Sequence, residues 1–259
     1  MSNINLHITS HSIDIGSKIN HHLIGLDENN NNDSKKILEL CQFGKLLSTY
    51  FNDYNILDGN REEPDFIIEN NSGKIGVELM RIVDENAKSE EGYFESICNT
   101  AVKILQEDSA FPNFLANVYI QPNLSKSQNL KKHYTKILVE SVRELVLTGN
   151  IKKNELLSSA RFMKHSRKNI HPNFGAYIQK SISEEQIISS IKTKEKKLST
   201  YIKNSVQSQW LILTIGNVGH SSFEVDETFK LNEICTDFNR VFLYEDFNNK
   251  LFELKISCK

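Results

Sequence analysis

The sequence predicts an α/β or α+β domain in which a mixed central sheet is flanked by helices and carries a basic helical insertion. Three observations lead there. Apolar residues recur at helical spacing in several long stretches and alternate or run together in shorter ones. WLILTIG, 210–216, is a near-continuous apolar run of the kind a strand buried on both faces requires. The charge, finally, is segregated along the chain. The formal net charge is −2, yet residues 123–203 hold 17 Lys and Arg against 6 Asp and Glu, which leaves 14 against 27 for the remainder.

Composition excludes several classes. With 259 residues, 39% hydrophobic and 25% charged, the chain is neither disordered nor collagen-like. Its longest apolar run, 210–215, is far short of the roughly 20 residues needed to span a bilayer, so no membrane helix is expected. The start, MSNINLHITSHS, has neither the positive flank nor the apolar stretch of a secretory signal. Cys41, Cys98, Cys235 and Cys258 are scattered without a CxxC pair, which indicates neither a disulfide framework nor a zinc site. A cytoplasmic protein is the expectation. The basic middle is suited to a polyanion, with a set of solvated helical faces as the alternative.

The elements follow in order. Residues 1–33 contain short β-like stretches (5–9 and 12–15) and end in LDENNNND, a polar loop that marks an N-terminal appendage off from a domain over 34–259. Ser34 is a plausible N-cap for a helix to about Phe51, with Leu40, Phe43, Leu46 and Leu47 at helical spacing. Glu39 lies on the same wheel positions and extends the buried stripe with a carboxylate. DFIIENNSGKIGVELMRI reads as a hairpin around the turn residues Asn70 to Gly73. A helix over 85–108 and a strand over 114–122 come next, then the insertion at about 123–183, with helices near 128–147 and 153–165 and a short strand at 175–182. A long helix over 184–204 precedes the buried strand, and RVFLYE and KLFELKIS supply two more strands.

The hairpin carries the chemistry. A loop with an even number of residues pairs Phe66 with Val77 and Ile68 with Ile75, and sets Asp65 against Glu78. Directly opposed residues share one face with Cβ atoms about 5 Å apart. At about 4 Å and an effective dielectric near 20, two carboxylates repel by roughly 4 kcal/mol. Folding does not favour such a pair unless a cation occupies it, and Mg²⁺ accepts one or two carboxylates plus water and phosphate oxygens. The structural alternative is that Asp65 ends a turn after Pro64 and Glu78 pairs with Lys74 or Arg81.

Pro64-Asp65, twelve residues, then Glu78-Leu79-Met80 resembles the motif of the PD-(D/E)XK nucleases, the restriction-endonuclease-like superfamily, over about 34–122 and 184–216. The resemblance implies a restriction-endonuclease-like fold and a metal-dependent nuclease that hydrolyses phosphodiester bonds in DNA, in a setting of prokaryotic restriction or phage defence. It implies Asp65 and Glu78 as catalytic and metal-holding residues, Glu39 as an additional metal ligand, and Mg²⁺ or Mn²⁺ as cofactor. The implied partners are DNA, with RNA left open, and a homodimer or defence-system protein, with no membrane. The family's lysine, two residues after the Glu, is Met80 here. On the 184–204 helix the stripe Ile187, Ile191, Leu198, Tyr201 passes through position 194, so Lys194 faces inward and is the candidate replacement, with Lys197 on the same side. Lys164, Arg167 and Lys168, together with Lys197, are the candidate nucleic-acid contacts. The alternatives are a catalytically inactive nucleic-acid-binding subunit and a protein-interaction module of immunity or adaptor type. His7, His11 and the His21-His22 pair are weaker metal candidates, and GNVG at 216–219 lacks the elements of a nucleotide loop.

Overall fold

The computed structural model describes residues 14–28, 30–59, 62–175, 178–204, 206–216, 219–226 and 229–257. The expected stretch 5–9, residues 12 and 13 of the stretch 12–15, His7, His11, Cys258 and two residues of GNVG lie outside them. The chain divides into two compact units, one of Met1–Val83, Lys180–Val218 and Ser222–Lys259, the other of Asp84–Gln179 with Gly219–Ser221.

The first unit is α/β, with a mixed six-stranded sheet flanked by helices. It opens with α1 (Gly16–Ile19), a 3₁₀ turn and α2 (Asn31–Tyr50). Asn30 caps α2 by accepting from the N–H of Asn32 at 2.9 Å and of Asp33 at 3.4 Å, so the expected cap, Ser34, lies inside the helix and LDENNNND supplies its start. The described part of the expected appendage is built into this unit. Ile19 is a core residue, and the Lys18 ammonium donates to the carbonyls of Asn52 and Tyr54, both at 2.8 Å.

The sheet comprises β1 (Asn55–Asp58), β2 (Phe66–Asn70), β3 (Gly73–Arg81), β8 (Gln209–Ile215), β11 (Arg240–Glu245) and β12 (Lys250–Glu253), in that spatial order. β1, β2 and β3 form an antiparallel meander, β3, β8 and β11 run parallel, and β12 returns antiparallel. Strand β1 has no counterpart among the expected elements. The even residues of β8, Trp210 and Ile212, pack with Leu40, Phe43 and Leu47 of α2. Its odd residues, Leu211 and Leu213, pack with α5 (Glu184–Glu195) and α6 (Leu198–Asn204) through Ile187, Ile191 and Tyr201. Every residue of β8 is therefore buried, as the apolar run predicts. The helix expected over 184–204 is broken at Lys196 and Lys197; Lys192 and Lys196 stand one turn apart, a like-charge pair that disfavours continuation. Two minor ladders, β7 (Lys180–Ser181) with β9 (Phe223–Glu224) and β10 (Ile234–Cys235) with β13 (Ile256–Ser257), complete the unit.

The second unit packs α3 (Glu85–Gln106) and α4 (Gln128–Thr148) on a three-stranded sheet, β5 (Leu157–Lys164), β4 (Phe114–Ile120) and β6 (Asn169–Asn173) in that spatial order. Asp84 caps α3 and Ser127 caps α4, and Gly149, at φ 77°, closes α4 in the left-handed conformation that glycine adopts without cost. Phe114, Ala116, Val118 and Ile120 meet Phe94, Ala101, Leu138 and Val142.

Three expectations are corrected here. The insertion is a larger unit than 123–183, beginning at Asp84. The strand at 114–122 belongs to this unit's sheet and not to the six-stranded one. The helix expected near 153–165 is strand β5: Asn154 accepts from the N–H of Leu156 and Leu157 in a turn, after which Ala160 and Phe162 pack on the core side while Arg161 and Met163 are exposed, a period of two. The insertion is therefore mixed α and β, not purely helical.

Candidate functional site

The hairpin pairs as the turn chemistry predicts, Phe66 with Val77 and Ile68 with Ile75. Continuing that register places Asp65, the residue before β2, across from Glu78 on β3. The Asp65 carboxylate ends the ladder itself, its Oδ2 accepting from the Leu79 N–H at 2.7 Å. Phe66 and Val77 face α2, so Glu78 turns to the opposite face beside Leu211, where α5 and α6 cover it.

That cover makes Glu78 a buried carboxylate, its side chain 3% exposed. Lys194, in the last turn of α5 and 23% exposed, donates its ammonium to Glu78 Oε1. The inward position read from the wheel is realised although the helix breaks two residues later. Glu78 Oε2 is buried on the side of α6, where the Tyr201 phenol interacts with the Glu78 carboxylate. Tyr201 of α6 stands on the same side, and burial together with the Glu78 carboxylate pushes its phenol pKa well above the ordinary value. Met80 packs partly buried against the apolar cluster under α5 and α6, which explains a thioether where the resembling motif has an ammonium.

Asp65 feels its neighbour. Burial first, then the negative charge of Glu78, raise its pKa from 3.8 to about 7, and the Leu79 N–H only partly opposes them. Its folded value lies above its unfolded one, so its contribution to stability is present below about pH 4 and is lost as the pH rises through about 7. In chelator the melting temperature should fall between pH 5 and pH 8, and Asp65→Asn should flatten that dependence. An Asp65→Asn profile parallel to wild type would show that other groups govern it.

Glu39 does not extend the buried stripe. One turn before Phe43, α2 faces an open pocket of about 520 Å³ instead of the sheet, and Glu39 lines it with Asp65, Asp33, Glu62, Lys35 and Lys36. Its side chain is 42% exposed and lies 3.7 Å from the Lys36 ammonium. Lys36 also donates to the Asp65 carbonyl at 3.3 Å. Lys197 is engaged by Glu63 at 2.7 Å.

The expected nucleic-acid contacts separate. Lys164 and Arg167 are exposed in the second unit, whereas Lys197 belongs to the first. Lys168 is buried, its ammonium on the Asp108 carbonyl at 3.0 Å, and is not available to a phosphate; it shares a charge run with its neighbours but anchors the turn that carries them. His22 is likewise structural: it is buried, with Nε2 3.2 Å from the Ile56 carbonyl, and burial lowers its pKa.

Among the described residues no group of three or more His, Cys, Asp and Glu side chains is gathered as a metal cage. The donor set is a pair of carboxylates, and its chemistry fits a cation that takes its remaining ligands from water and substrate. Sequence reasoning missed Tyr201 and Lys36 as neighbours of the pair. Tyr201 reads as one more apolar stripe residue, and nothing in the sequence places Lys36 against the Asp65 backbone. Compared with protein-family models, with curated proteins and with solved structures, the chain matches none.

Proposed function

We propose that the first unit is a metal-dependent nuclease that hydrolyses phosphodiester bonds in DNA, with Asp65, Glu78 and Lys194 as its catalytic residues. The observation that carries this reading is the Lys194 ammonium on Glu78 Oε1, beside a second carboxylate and in place of the ammonium missing at Met80. Asp65 and Glu78 would hold Mg²⁺ or Mn²⁺, which supplies charge neutralisation at the phosphoryl oxygens and acidifies water. Glu39, on the wall of the pocket that reaches Asp65, is placed to bind a water or a further ion at its mouth. Lys194 contributes positive charge where the phosphate becomes more negative, and it holds the Glu78 carboxylate in one orientation. A restriction or defence setting, with a second copy or a partner protein, is part of this proposal.

The same ion pair favours a second reading. Lys194 already neutralises Glu78 without metal, as an inactive nucleic-acid-binding subunit would require. Incubation with supercoiled plasmid, linear duplex and single-stranded DNA in Mg²⁺, Mn²⁺ or EDTA separates the two. The nuclease reading expects cleavage in metal and none in EDTA. Intact substrates in both metals would leave the inactive subunit.

A further inference from the structure

We propose that the open face of the three-stranded sheet in the second unit docks a single-stranded nucleic acid. The register displays the face in rows. Arg161 of β5, Asn117 of β4 and His171 of β6 stand side by side; Ser159, Tyr119 and Asn173 form the next row, and Met163, Leu115 and Asn169 the one before. The unit's two helices pack on the other face, whose β4 residues Phe114, Ala116 and Val118 are fully buried, while Leu115, Asn117 and Tyr119 keep part of their surface. Arg161 and His171 are exposed.

The chemistry of this face selects the occupant. The three rows contain no Asp or Glu, and the Arg161 side chain makes no ion pair or hydrogen bond among the described residues. Exposed cations continue past both ends of β5: Lys152 and Lys153 precede it, while Lys164, at its last residue, and Arg167 lie at the end where the chain crosses to β6. Glu155 is exposed beside Lys152 and Lys153, and Lys164, paired with Phe114, has the parity of the helix-covered face, so on the open face itself the fixed positive charge for a phosphate is Arg161. On the face itself the Asn117 amide presents a donor and an acceptor suited to base edges, while Asn169 contacts His171 and the Ile170 N–H and Asn173 Oδ1 accepts from the Gly175 N–H; the Tyr119 ring and Arg161 guanidinium offer planes on which bases stack. A duplex hides its base edges in grooves that a flat sheet face does not enter, whereas splayed single-strand bases lie against such a surface. A protein partner would need an apolar centre, and only Leu115 and Met163 at one end are apolar.

The surface is independent of the acidic pair, and its test leaves that pair untouched. Fluorescence anisotropy in EDTA would follow the full-length protein binding labelled single-stranded DNA and RNA of about 15 nucleotides, and the duplex of the same length. Both single strands should bind more tightly than the duplex; tighter RNA would add a role for the 2′-hydroxyl, and tighter DNA would dispense with it. Arg161→Glu and Tyr119→Leu should each weaken binding roughly 10-fold or more. Arg161→Glu should also reduce the salt slope by about one. Lys136→Glu, on the exposed side of α4, should change binding little. Arg161 is exposed, so its variant keeps the fold and decides alone if circular dichroism shows Tyr119→Leu unfolded. Tighter duplex binding, or wild-type affinity in Arg161→Glu and in every folded variant of the face, would overturn the proposal.

Discussion

Replacing Lys194 by Ala should both abolish cleavage and destabilise the protein, because it leaves Glu78 as a negative charge that is 3% exposed and has lost its cation. Breaking a buried pair by removing one partner costs about 3–5 kcal/mol, a large share of the stability of a typical domain. Two further results identify the cause. The double variant Lys194→Ala/Glu78→Gln should recover most of the lost stability, since no charge is then stranded. Mg²⁺ should raise the melting temperature of Lys194→Ala by more than that of wild type, because the ion takes the place of the ammonium. Lys196→Ala, in the turn between α5 and α6, should leave both activity and stability near wild type. Were Lys194→Ala as stable as wild type in chelator, Glu78 would not depend on that ammonium.

Asp65→Asn and Glu78→Gln should each reduce metal-dependent cleavage by about 10³-fold or more, the loss expected when one ligand of a charge-neutralising ion is removed. Their effects on stability should diverge. Asp65→Asn removes a carboxyl that burial and the Glu78 charge hold at about 7, so at pH 8 in chelator it should raise the melting temperature. Glu78→Gln strands the Lys194 ammonium instead, yet that side chain is 23% exposed and reaches water, so the variant should melt close to wild type. Cleavage by both variants at the wild-type rate would remove the acidic pair from the mechanism.

The parts of this site that rest on local chemistry were legible in the sequence. Asn70 to Gly73 can hardly be anything but a turn, and once the hairpin closes there, the alternation of Phe66, Ile68, Ile75 and Val77 settles its register and hence the meeting of Asp65 with Glu78. The wheel through Ile187, Ile191 and Tyr201 likewise turns Lys194 inward, because one turn of intact helix is enough for that. What was not legible depends on long-range pairing. FLANVYI alternates equally well in either sheet, so nothing local assigns β4 to the second unit. Glu39 occupies the stripe of α2, but a helical wheel gives the face and not what stands opposite, which here is an open pocket. Lys168 looks like its exposed neighbours until the fold brings the Asp108 carbonyl to it.

The central claim, that Asp65 and Glu78 together hold a divalent cation, is tested most directly by titrating the protein with Mn²⁺ at pH 8 and following the free ion by its paramagnetic resonance. Wild type should bind Mn²⁺ and the Asp65→Asn/Glu78→Gln double variant should not, with binding weakening as the pH falls below about 7 and Asp65 takes up its proton. Equal Mn²⁺ binding by the folded double variant and the wild type, or no binding by wild type at any pH, would contradict it.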